Sequence, residues 1–340
     1  MAVPKYMSLP LLGKGARRLQ TAISKKKHPL RSGILKFACG GKRRQFPWRE
    51  PGRTPYEVLI AEVLLKRTTS TAAARVYNDF LRKFPNPFLL SEASPEEISG
   101  MFAKIGLQRQ RATAAKKLAA HLVGVERGKV PSDLDRLLRI PGVGQYTARA
   151  VLSVGLRSPA AVVDSNVERI IHRVFMTSIP TRARLTLLQG IADTLLPQDC
   201  HREFNLGMLD LGSLVCRPSL PRCPECPLTN ICDYYTTRGR KYPKKALQQT
   251  AKLGIRLRSI RKRKGISLVR LARDSKVSKL TIIRIEKGKS IPLPRTVKKL
   301  EHGLGEPLVP ESSRGIVTKS SYASIRRSEG TPFLAIKERY

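Results

Sequence analysis

Acidic residues are scarce in this chain of 340 residues: 25 Asp and Glu stand against 65 Lys and Arg, a formal net charge of +40. The first 49 residues carry 13 Lys or Arg and no acid at all. Such an imbalance repels itself unless it meets an anion, and the usual anion for a soluble chain is nucleic acid phosphate. Long apolar runs are missing as well. No stretch reaches the roughly 18 apolar residues that cross a bilayer, and no basic amphipathic helix stands out, so a membrane partner is not expected. The short MSLPLLG near the start lacks the length and cleavage site of a secretory signal. A cytoplasmic, nucleoid-associated setting is the expectation, and a reducing compartment disfavours a disulfide framework. Regular alternation of apolar and polar residues is absent too, which leaves little room for strands.

What is present is helical. A content of 41% apolar residues supports sizeable cores, and the length suffices for two domains. From Phe46 to about Tyr235 one apolar-periodic segment follows another, beginning with TPYEVLIAEVLLKRTTSTAAARVYNDFLRKF. SPEEISGMFAKI opens with a Ser-x-x-Glu capping box. The expected class is all-α. The expected organisation is a basic N-terminal arm over 1–42, a helical body over 43–235, a basic linker over 236–250, a smaller helical unit over 251–308 and a loose tail over 309–340. The arm reads either as a solvated tail or as a phosphate-tracking segment, with HPLRSGILKFACG as its one helical candidate.

Three motifs carry chemistry. LLRIPGVGQYTARAVLSVG reads as helix, tight turn, helix. Gly142, Val143 and Gly144 would present bare amides at the start of the second helix, a site for phosphate that reads no base. The same pattern also fits an ordinary helical corner. About twenty residues on, VVDSNVERIIHRVF puts Asp164 at the mouth of another helix, where the dipole favours an anion. The third motif, CRPSLPRCPECPLTNIC, holds four of the six cysteines with spacing C-x6-C-x2-C-x5-C. Four thiolates suit zinc or an iron–sulfur cluster. Cys39 and Cys200 read as ordinary buried or semi-buried thiols.

Together these motifs resemble the helix-hairpin-helix DNA glycosylases of the endonuclease III superfamily, over about residues 43–235. The resemblance implies a two-lobed helical fold and a [4Fe–4S] cluster on Cys216, Cys223, Cys226 and Cys232. The cluster would staple a loop whose Arg217 and Arg222 meet phosphate. It also implies that Asp164 is the catalytic carboxylate, facing the positive charge that builds on the sugar as the base departs. Bifunctional members carry a lysine where this chain has Tyr146. A phenol cannot form an imine, so a monofunctional enzyme leaving an intact abasic site is expected.

The base removed is a matter of detail. Tyr146, Glu62 and the FPWR segment at 46–49 are shared with adenine-DNA glycosylases, a genuine rival reading. Lys66-Arg67-Thr68-Thr69, IGLQRQRA and FNLGMLDLGSLVC are instead very similar to prokaryotic thymine-DNA glycosylases acting on T/G mismatches. That resemblance implies double-stranded DNA with a mismatch as partner; uracil opposite guanine is expected as a second substrate, because a pocket that admits a methyl group usually admits its absence. Arg67 would fill the space left by the flipped base, where the residue by itself fits a phosphate contact equally well, and Leu107 with Gln108 would touch the estranged guanine. Glu62 would either accept a hydrogen bond from thymine or hold the water.

LGIRLRSIRKRKGISLVRLARDSKVSKLTIIRIEKGKSIPLPRTVKKLEHGLG resembles the Cro-like helix-turn-helix family. Ser267 and Ser278 would cap its two central helices. Leu271, Val277, Ile282 and Ile285 would form its core, with Lys279, Thr281 and Arg284 facing the major groove. Residues 251–308 hold 17 basic and 4 acidic residues, the sign DNA requires. A transcription regulator with a glycosylase-like scaffold is the rival of a different class.

Overall fold

The computed structural model describes residues 14–41, 43–219, 221–237, 244–288, 292 and 294–308. The expected tail over 309–340, residues 1–13 of the expected arm and 238–243 of the linker lie outside the described residues. Among those described, every regular element is helical and none is a strand. No described helix is long and apolar enough to cross a membrane. The chain divides into two compact units, residues 1–215 with 226–231, and residues 216–225 with 232–340.

In the first unit, helix α1 spans Lys14–Cys39, and a 3-10 turn at Pro47–Arg49 leads to α2 at Pro55–Leu65. Next come α3 (Ser70–Lys83), α4 (Pro87–Glu92), α5 (Pro95–Met101) and α6 (Gln108–Gly124). Helices α7 (Leu134–Arg139), α8 (Gln145–Ala150), α9 (Ser165–Val174), α10 (Leu185–Leu195) and α11 (His201–Leu214) complete it. Helix α2 is the central rod, apolar on nearly every side, with Tyr56, Val58, Leu59, Ile60, Val63 and Leu64 all buried. Its start is fixed by Pro55 and by a capping box in which Thr54 and Glu57 satisfy each other's amides. The expected box at Ser94 and Glu97 forms at the head of α5.

Two lobes result. One core joins Trp48, α2 to α8 and Ala160. In the other, α1, α9, α10 and α11 pack on one another. After α8 the chain makes a π turn over Val151–Gly155, which lies against α2. A side chain on Gly155 would stand 2.8 Å from the Cα of Pro55, so only glycine lets the two segments meet.

Helix α1 takes in residues 28–39 of the expected helical candidate and extends back to Lys14, which corrects the reading of the rest of the N-terminal region. Of the expected arm, residues 14–39 are one helix whose Leu19, Ile23, Leu30, Ile34 and Phe37 are buried. Lys26 donates to the Val174 carbonyl at 2.6 Å, and Arg31 Nε to that of Leu195 at 2.7 Å, so basic side chains end two other helices. The apolar stripe is sparse and set among lysines, so periodicity alone hides it. Cys39, expected to be at least partly buried, is exposed.

In the second unit, α12 spans Asp233–Thr237, α13 Lys244–Arg263, α14 Leu268–Ser275, α15 Lys279–Glu286 and α16 Pro294–Leu304. The expected linker is thus helical from Lys244 onward. Leu257, Ile260, Leu271, Val277, Ile282, Ile285, Leu300 and Leu304 form a small core. Ser267 caps α14 by accepting from Arg270 N, and Ser278 caps α15 by accepting from Thr281 N, each at 3.1 Å. Arg261 and Glu286, both largely buried, pair at 2.6 Å and tie α13 to α15.

Candidate active site and DNA-facing loops

Glu62 sits in the middle of α2 and is 9% exposed. Burial in that apolar rod raises its carboxyl to about 8, while Lys66 opposes the rise, Asp164 adds to it and Arg49 opposes it. Near pH 7 the group therefore carries a proton, which adds an O–H donor to the carbonyl acceptor considered from sequence. Burial pushes the Tyr146 phenol well above its ordinary range, and the charges of Glu62 and Asp164 push it the same way. Tyr146 is a neutral hydroxyl. Asp164 acts on Glu62, and both act on the Tyr146 phenol, so the structure brings the three expected residues into one neighbourhood.

Asp164 is half-buried and caps α9. Its Oδ1 accepts from the backbone N–H of Asn166 at 2.9 Å and of Val167 at 2.8 Å. Its Oδ2 accepts from the Asn166 side chain at 2.6 Å. The cap aims the carboxylate and surrounds it with donors that suit an anion. The buried segment ahead of it is pinned from α11. Asn205 Oδ1 accepts from Val162 N at 3.1 Å, and its Nδ2 donates to Ala160 O and to the Ser153 hydroxyl, each at 2.8 Å. His201 Nδ1 lies 3.1 Å from that hydroxyl. Ser153 is fully buried, so this Ser–His–Asn set is scaffolding and not a nucleophile.

Sequence reasoning missed a cationic pair. Asp210 on α11, with no exposure, accepts from Arg44 Nε at 2.6 Å and from Arg49 Nη1 at 2.8 Å. Phe46 stacks on Trp48 at 4.9 Å, and both guanidiniums lie over the Phe46 ring. Arg44 and Arg49 oppose the negative charges at Tyr146, so they belong to the same neighbourhood. The FPWR segment was legible only as a shared motif. Its partner lies 161 residues away, and nothing in the local pattern announces it.

The DNA-facing candidates divide. Arg67, Leu107 and Gln108 are exposed, and the first two adopt left-handed backbone at φ +53° and +56°. Lys66 acts as a strut: its Nζ donates to the Gly142 carbonyl and joins the end of α2 to the hairpin. Gly142 turns at φ +81°, and Gly142 and Gly144 are exposed. Val143 departs from its expected role, because its side chain is buried and its amide donates to Ile140 O at 3.0 Å. A phosphate there would meet the flanking glycines.

Cys216, Cys223, Cys226 and Cys232 are each half-buried, on chain that passes through 3-10 turns at Cys223–Glu225 and Thr229–Ile231. Among the described residues, no three His, Cys, Asp or Glu side chains are gathered to hold a metal ion. Four thiols between positions 216 and 232 nonetheless suit an iron–sulfur centre in kind. Arg222 is exposed and lies 3.6 Å from Glu225, while Arg217 is half-buried. In the small unit Lys279 and Arg284 are exposed. Thr281 is half-buried, and its hydroxyl pairs with that of Ser278 at 2.8 Å, so it serves the cap.

Comparison with known proteins agrees with this geometry. Residues 60–188 match the pattern of the HhH-GPD superfamily base excision DNA repair protein, and residues 257–309 match the helix-turn-helix family. The thymine/uracil-DNA glycosylase of Pyrobaculum aerophilum is 38% identical over 215 residues, 62% of this chain and 93% of that protein. The adenine DNA glycosylase of Mycobacterium tuberculosis is 34% identical over 203 residues, 59% of this chain and 65% of its own length. A solved structure of a thermostable thymine-DNA glycosylase matches with a TM-score of 0.60 at 36% identity, covering 63% of this chain and 99% of that one.

The chain belongs to the HhH-GPD superfamily of base excision DNA repair proteins. Within that superfamily it is a repair glycosylase with an added helix-turn-helix domain, and its partner is DNA.

Proposed function

We propose that the enzyme hydrolyses the bond between deoxyribose and a thymine or uracil mispaired with guanine, leaving an abasic site with the strand intact. The observation that carries this reading is Tyr146, a neutral phenol beside Asp164 and Glu62 where a lyase would need an amine. The mispaired nucleotide leaves the stack, at lower cost than a paired one. The carboxylate of Asp164 faces the anomeric carbon as positive charge builds there. Glu62, protonated near neutral pH, donates to a pyrimidine carbonyl and draws off the charge that the departing base takes from the broken bond. Water adds to the sugar carbon, and its proton is lost to solvent.

A second reading has one observation in its favour. A protonated Glu62 also suits adenine, whose ring nitrogen would take the proton. Labelled duplexes holding one T/G, U/G or A/oxidised-G pair, treated with the protein and then with hot alkali, distinguish the two. Cleavage of the T and U strands is expected. Cleavage of the A strand alone establishes the adenine reading, and no cleavage of any duplex favours a regulator built on a glycosylase scaffold.

Cys216, Cys223, Cys226 and Cys232 would hold a [4Fe–4S] cluster, which when bound braces the loop bearing Arg217 and Arg222 and takes no part in the reaction. Their fit is one of donor type, and iron and sulfide analysis of purified protein tests it, with stoichiometric zinc as the contrary result. Gly142, Gly144 and the exposed Lys279 and Arg284 are the corresponding candidates for contacts to DNA, the last two in the helix-turn-helix unit.

A further inference from the structure

Arg67 and Leu107, assigned above to the opened mispair, are exposed yet hold left-handed backbone. Residues other than glycine keep such a conformation only where their surroundings enforce it. Arg111, on the first turn of α6 and 5% exposed, binds both loops. Its Nε donates to Gly106 O at 2.9 Å. Its Nη1 donates to Val63 O and Leu64 O at 3.1 Å each. Its Nη2 donates to Lys66 O at 2.6 Å and to the Thr68 hydroxyl.

All five N–H groups of the guanidinium are thereby engaged, and no carboxylate is among the acceptors. A cation suits this place, because carbonyls at the end of α2 lack partners within the helix and form its negative pole. Capping α2 does not require the bond to Gly106, which belongs to the other loop. The guanidinium thus holds the chain on both sides of Arg67 and the carbonyl just ahead of Leu107.

We propose that Arg111 is a positioning residue for base flipping, locking the Arg67 and Leu107 loops into one rigid unit aimed at the mispair. This rests on the reading of those two residues as groups that enter the DNA. A loosened loop need move only about 1 Å to cost on the order of 100-fold in rate.

The test is a double-substitution cycle in the full-length protein, using Arg111→Gln, Arg67→Ala and both together on the T/G duplex. Single-turnover excision is followed alongside 2-aminopurine fluorescence from a base adjoining the lesion. Arg111→Gln is expected to slow excision about 100-fold and to abolish the fluorescence rise that reports opening. The double variant is expected to be no slower than the slower single one. Circular dichroism and thermal midpoints establish folding. If Arg111→Gln does not fold, Arg111→Lys, which keeps the charge without the fork, replaces it in the same cycle. Rate losses that multiply, or a fluorescence rise that survives while excision slows, overturn the proposal. A wild-type protein that excises nothing from any mispair overturns the functional reading instead.

Discussion

At residue 164 a single carboxylate starts a helix and, in the proposed mechanism, faces the sugar; asparagine separates the two tasks. Asn caps helices about as well as Asp, so Asp164→Asn keeps the bonds to Asn166 N and Val167 N while losing the negative charge. Excision is expected to fall about 1,000-fold, roughly 4 kcal/mol of transition-state stabilisation. Single-turnover rates measure the loss, with an unchanged thermal midpoint as the control. Glu62 gives a pH signature. Its carboxyl titrates near 8, so the rate is expected to hold below that value and to decline as the pH climbs through it and the proton is lost. Glu62→Gln keeps an N–H donor that does not titrate, and should retain turnover while flattening the alkaline decline. A decline that persists in the variant assigns it to another group. Asp164 was legible from its place at a helix mouth, and Glu62 through the resemblance alone, with its role left open. The protonation state of Glu62 was not, because it depends on burial by residues that only the fold brings together.

Among elements, the link between the FPWR turn and α11 is the most exacting. Asp210 is wholly buried with two arginines on it. Removing the carboxylate strands both cations, so Asp210→Ala should cost about 3–5 kcal/mol by chemical denaturation. Loss under 1 kcal/mol would mean that water or another acceptor replaces the carboxylate. The helices of the body were readable where a cap and the apolar pattern agree, as at Ser94 and Asp164. Of helix α1 only the HPLRSGILKFACG end was readable, since the apolar stripe of the rest gains meaning only against α10 and α11. The same holds for Lys66 and Val143. The Lys66 ammonium is committed to the Gly142 carbonyl of the hairpin, and the Val143 amide to Ile140 O within its own turn.

For the whole molecule, a charge of +40 accompanies two DNA-binding folds in one chain. The helix-turn-helix unit was legible in its caps and core, both local features; its exposed Lys279 and Arg284 remain the pair to bring to phosphate or base edges. The central claim is hydrolysis at a mispair without an enzyme-bound sugar. It is tested most directly on one labelled T/G duplex, split between hot alkali, no alkali, and borohydride during turnover. The account predicts a broken strand only after alkali and no protein–DNA adduct with borohydride. A strand cut without alkali, together with a borohydride-trapped complex, would contradict it.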